Sequence, residues 1–170
     1  EKFSNAGSRG AYRYHTLSAH QSITDVAILS PSAGIVNIYP LTASGNPSKE
    51  ILDLVQNYLS DDKIRPLTDF VQVLSPEKID FQIVATLYLF KDADKESVIA
   101  TIEKKLTEYK TTLSAKLGKS VIQTQIIAIL NSVYGVFKVE LKTPNDIEIS
   151  ESQWANLTNW NISIGGYARE

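Results

Sequence analysis

The chain holds 170 residues, 43% of them hydrophobic and 21% charged, with a formal net charge of -2; this is room for one ordinary globular domain or two small ones. Such a balance exerts no overall pull toward nucleic acid or an anionic membrane. The absence of cysteine excludes disulfides, thiolate chemistry and Cys-based zinc sites, and no apolar run approaches the roughly 20 residues of a membrane span.

The polar opening from Glu1 to Gly10, in a chain with no methionine, reads as a lead-in from a longer protein. Ala11, Tyr14 and Leu17 then fall at helical spacing and predict a short helix. The apolar run Val26–Leu29, the turn chemistry of Ser30-Pro31-Ser32-Ala33-Gly34 and the run Ile35–Leu41 predict a β-hairpin, with Val36 and Ile38 on one face. Asn46-Pro47 reads as a helix start, a capping side chain followed by proline at the first helical position. Glu50 suits the positive end of that helix, and Ile51, Leu52, Val55, Tyr58 and Leu59 form its apolar stripe. Pro66 lacks an N–H and disfavours the α region at Arg65, so the helix ends before it. A strand over Phe70–Leu74 follows.

Ser75-Pro76 marks the boundary between a first module, residues 1–75, and a second, residues 76–170. The second opens on the longest period-two pattern of the chain, with Ile79, Phe81, Ile83, Ala85, Leu87 and Leu89 sharing a face. Asp94 is positioned to cap a helix whose stripe is Val98, Ile102, Leu106, Tyr109, Leu113 and Leu117, with Gly118 just past its end. A shorter helix begins near Thr124, with Ile126, Ile127, Leu130 and Val133 inward, and stops at Gly135. Phe137, Val139 and Leu141 predict an inward strand face, Ile147 and Ile149 a short strand, and Trp160, Ile162 and Ile164 a last one. The two-helix link between strands predicts some parallel or mixed pairing. The fold class is α+β: two small modules, each an open mixed or antiparallel sheet with helices packed on one face.

Reactive signals are sparse. His15 and His20 lie five apart and do not share a helical face, so they form no i, i+4 metal pair. Asp61-Asp62 with Asp69 reads as a solvated helix end rather than a metal cluster. Asp92 and Asp94 lack the glycine and terminal glutamate of a calcium loop. No phosphate-binding glycine loop and no G-x-S-x-G elbow occurs. Trp160 continues an inward pattern, whereas Trp154 is the better candidate for an interface. These readings imply no catalytic residue, no metal and no cofactor.

Three phrases go further. Ala11-Tyr12-Arg13-Tyr14-His15-Thr16-Leu17-Ser18-Ala19-His20, the connector Asp61-Asp62-Lys63-Ile64-Arg65-Pro66-Leu67-Thr68-Asp69, and Val133-Tyr134-Gly135-Val136-Phe137-Lys138-Val139-Glu140-Leu141 resemble, in order, the "AYRYHALSA", "DKxRPLTD" and "GVxxVxL" segments of the baseplate J-like proteins of contractile-tailed phages. The resemblance implies the C-terminal portion of a structural protein of the baseplate wedge. Its expected partners are other wedge proteins and further copies of itself, met in the virion tail baseplate, with no nucleic acid, membrane span or small-molecule substrate. It also singles out Tyr12, Arg13, Tyr14, Lys63, Ile64 and Arg65 as contact or docking residues; arginine suits bidentate pairing and stacking. The competing reading is a carbohydrate- or receptor-binding module of an adhesin or tail fibre, using Trp154, Tyr167 and nearby asparagines.

Overall fold

The computed structural model of the chain describes residues 9–61, 64–65 and 68–168. Contacts divide it into two units. Unit 1 runs through Lys78 and also takes in Ser114–Gly118 and Ser150–Trp154; unit 2 holds Ile79–Leu113, Lys119–Ile149 and the residues from Ala155 onward. Both are α+β, each built on a three-stranded mixed sheet.

Unit 1 contains α1 (Arg9–Ala19), β1 (Ile23–Leu29), β2 (Ile35–Thr42), α2 (Lys49–Leu59) and β3 (Phe70–Val73). β1 and β2 form the expected antiparallel hairpin. Gly34, at φ 76°, supplies the left-handed residue its turn needs. α2 then returns the chain so that β3 lies parallel to β2, with Ile35 opposite Phe70 and Ile38 opposite Val73. Val26, Ile28, Val36, Ile38 and Val71 face the helices and pack with Tyr12, Val55 and Leu59.

Both edges of this sheet are closed by side chains. Phe70 and Leu74 donate backbone N–H groups toward β2, so Val71 and Val73 point their backbone outward. There the Gln56 carboxamide on α2 donates to the Val71 carbonyl at 3.0 Å and accepts the Val73 N–H at 2.8 Å. One amide thus does for β3 what another strand would, and removes a template for unwanted pairing. At β1, the Val26 carbonyl accepts from the Arg13 guanidinium and its N–H bonds the Asp25 carboxylate.

Unit 2 is organised by β4 (Glu77–Leu89), α3 (Lys95–Ser114), α4 (Gln123–Asn131), β5 (Val136–Thr143) and β6 (Gln153–Tyr167), in the sheet order β5-β4-β6. Phe81, Ile83, Ala85, Leu87 and Leu89 supply the inward face of the central strand. Val98, Ile102, Leu106, Tyr109 and Leu113 are the buried stripe of α3, its aliphatic members each worth roughly 1.5–3 kcal/mol relative to exposure. Asp94 caps α3, its Oδ2 accepting the Ser97 N–H at 2.9 Å.

Several expectations are corrected. α1 buries Tyr12 and Thr16, one turn apart, and leaves Tyr14 58% exposed; the competing aromatic at Tyr12 sets the phase. The N-cap of α2 is Ser48, not Asn46, because the Asn46 side chain is held elsewhere, as described below. The Ser48 hydroxyl makes no capping bond but bonds the Glu50 carboxylate, which lowers that group's pKa. α3 stops at Ser114 rather than near Leu117. Phe137 turns outward, its ring edge-on to Phe90 at 5.4 Å. Ile147 forms only an isolated bridge to Val121 instead of opening a strand. The two-helix link returns β5 antiparallel to β4. The parallel pairing of this sheet falls between β4 and β6, whose contacts advance together from Asp80–Asn156 to Thr86–Ser163.

Candidate functional site

A cleft of about 420 Å³ in unit 1 opens beside the edge strand β1. Arg9, Gly10 and Arg13 of α1 line one side, Val26, Ala27 and Ile28 the floor, and Leu117, Gly118 and Glu151 the other side. At its centre the Arg13 guanidinium lies 2.7 Å from Asp25 Oδ1. The second carboxylate oxygen of Asp25 accepts the backbone N–H of Leu117 at 3.0 Å. A bulge between Ile23 and Asp25 shifts the phase of β1 so that Asp25 is buried although its neighbour Val26 is too.

Burial pushes the Asp25 carboxyl up, but the Arg13 guanidinium and the N–H groups of Leu117 and Val26 outweigh it and hold its pKa below the ordinary carboxylate range. The carboxylate is therefore charged and already bonded on both oxygens. This arrangement fastens α1 and β1 to the segment after α3; it offers neither a free base nor an open anion site.

A second cluster joins α1 to the connector before β3. The Tyr12 hydroxyl donates to Asp69 Oδ2 at 2.7 Å, and Arg65 donates to the Asp69 carbonyl at 2.9 Å. Burial, then the bond to Asp69 and its charge, raise the Tyr12 pKa, so the phenol stays protonated. Ile64 packs half-buried against the unit 1 core. Two of the resembling phrases thus meet in space. Tyr12, Arg13 and Arg65 are engaged within unit 1, and Tyr14 faces outward; Lys63 lies outside the described residues.

Trp154 is 5% exposed, which turns the expected interface residue into an internal one. Its indole N–H donates to Asn46 Oδ1 at 2.6 Å. A Cβ placed on Gly45, which sits at φ 104°, would come within 3.0 Å of the indole ring. Enclosed in this way, Trp154 cannot form the floor of a sugar site. Nothing in the spacing of Asn46 and Trp154 pointed to this pairing, nor to the Leu117 contact. Phe90 and Tyr134 were likewise not singled out, and Phe137 was expected inward, yet all three are exposed. His20 Nδ1 lies 2.7 Å from Ser22 Oγ, and the His15 ring neighbours those of Tyr14 and Tyr58. Among the described residues no group of three His, Cys, Asp or Glu side chains is placed to hold a metal. No described helix is long and apolar enough to cross a membrane.

Residues 81–163 match the Baseplate J-like protein C-terminal domain, and residues 4–75 the Baseplate J-like central domain. The chain is 37% identical over 169 residues to baseplate protein J of Escherichia phage P2, spanning 98% of this chain and 55% of that protein. It therefore covers about half the length of the curated relative it matches. Among solved structures it resembles a chain of the anti-feeding prophage baseplate, determined by six-fold symmetrised cryo-electron microscopy. The TM-score is 0.61 at 16% identity, over 92% of this chain and 38% of that one, a likeness of fold. With matched domains along nearly its whole length, the chain belongs to the Baseplate J-like family.

Proposed function

We propose that the chain is a structural component of a contractile-tail baseplate, acting through protein–protein contacts in the virion tail and not through catalysis. The observation that carries this reading is its likeness to baseplate protein J along 98% of its own length. The site geometry supports it: Arg13, Asp25, Tyr12 and Arg65 spend their bonding capacity on joining elements. Other wedge proteins and further copies of the chain are the partners. Rigid movement of packed modules is the way their contacts change on contraction. The two family matches favour successive modules at 1–75 and 76–170. Tyr14, with its exposed ring, is assigned to contact; Tyr12, Arg13, Ile64 and Arg65 hold the surface that presents it, and Lys63 belongs to the same connector.

Gene deletion with complementation tests the proposal. Deletion should leave cells without complete tails, and the intact gene should restore them. A second arm screens the purified protein against hydrolase and transferase substrates; turnover abolished by replacing one polar residue would count against a purely structural role.

A further inference from the structure

Among the described residues, the sheet of unit 1 has helices on one face only. On the other, Leu29, Ile35, Tyr39 and Leu74 surround the central pair Asn37 and Gln72, with Phe70 beside Ile35. Phe70 is 59% exposed and Leu74 37%. From Ala27 onward this face carries no charged side chain. The Asn37 Oδ1 atom is buried among its neighbours without a hydrogen-bond partner among the described residues.

Two features imply that this face is normally covered. β2 and β3 are a parallel pair, and parallel strands as a rule have both faces buried. β2 itself reads Ile35-Val36-Asn37-Ile38-Tyr39-Pro40-Leu41, nearly apolar on both faces, which is the pattern of a strand between two layers.

Size and charge select the occupant. Three strands about 4.8 Å apart and four residues at about 3.3 Å each make a face roughly 14 by 13 Å. That is the footprint of two or three turns of one helix, whose diameter is about 10–12 Å. It is well short of the roughly 800 Å² that each partner of a stable dimer contributes, so a second copy is a poor fit. The uncharged surface calls for an apolar stripe.

We propose that this face docks the apolar stripe of an amphipathic helix from a different protein of the assembly. The inference rests on the proposed place of the chain in a baseplate. It is tested in assembled particles carrying the photoreactive p-benzoyl-phenylalanine in place of Phe70, with immunoblotting for the chain and mass spectrometry of the cross-linked peptide. The expected product joins Phe70 to a segment of another protein with apolar residues at i, i+3 and i+4. In parallel, Phe70→Glu, at an exposed position, should keep its circular dichroism spectrum and lower incorporation at least tenfold. A cross-link to a second copy, no cross-link in particles that contain the chain, or normal incorporation of Phe70→Glu overturns the docking proposal alone. Particles that lack the chain overturn both proposals.

Discussion

The Tyr12 hydroxyl donates to Asp69 Oδ2 at 2.7 Å, joining residues 57 positions apart in the sequence. Tyr12 is 2% exposed, so the bond is made at the inner side of α1, where water competes poorly. A hydrogen bond to a charged acceptor is worth about 1.5–3 kcal/mol. Tyr12→Phe keeps the ring packing and removes only the donor. It should lower unfolding free energy by about 1.5–2 kcal/mol, the lower part of that range because Asp69 is partly exposed. Urea denaturation of Tyr12→Phe, Asp69→Asn and the double variant checks this. Coupling between the two sites is the expected result, and simple additivity would show that the bond contributes nothing.

The Asp25 carboxylate gives a pH signature. Its folded pKa lies below its ordinary value of 3.8. In acid the unfolded chain therefore takes up the proton first, so stability contributed by Asp25 is present above about pH 4 and lost as pH falls through the folded value. Asp25→Asn should flatten the part of the stability curve below about pH 4 relative to the parent chain. Near neutral pH it should cost about 1–3 kcal/mol, through the weakened Arg13 contact and the loss of an acceptor. Denaturation midpoints at pH 3 and pH 6 measure both effects.

Gln56 closes the β3 edge with both ends of its carboxamide. Gln56→Ala should cost about 1–2 kcal/mol, one modest net contribution per lost bond. Gln56→Glu should be worse, since a carboxylate cannot donate to the Val71 carbonyl and would repel it. Light scattering at raised protein concentration should also show more association for Gln56→Ala, because the edge is then open to pairing.

Trp154 reports on the turn that encloses it. Asn46→Ala leaves the indole N–H buried without its acceptor, a loss of about 1–3 kcal/mol. Gly45→Val should be more damaging, since it sets a branched residue at positive φ against the ring. A red shift of tryptophan emission, lost when Trp154→Phe is added to either variant, assigns the change to this residue.

These contacts show where the sequence was readable. The stripe of α3 could be read because regular apolar spacing along its 20 residues leaves one possible face, and Asp94 caps it as its position implies. α1 was harder: Tyr12 and Tyr14 both suit a helix, and Tyr12 is the one that meets the core and the distant Asp69. Asn46 has the chemistry of a cap, but a buried indole 108 positions away competes for its side chain. Ile147 and Ile149 carry a strand pattern, yet β6 takes the place beside β4 and leaves Ile147 a single bridge. Patterns set by local periodicity were legible; side-chain assignments fixed by partners far along the chain were not.

The most direct test of the structural role is the protein content of purified tails from cells with the gene intact and with it deleted, compared by quantitative mass spectrometry and electron microscopy. The account predicts that the chain is retained in washed particles at a fixed ratio to the other baseplate proteins, and that deletion abolishes complete baseplates. Complete, functional tails assembled without it would contradict the account.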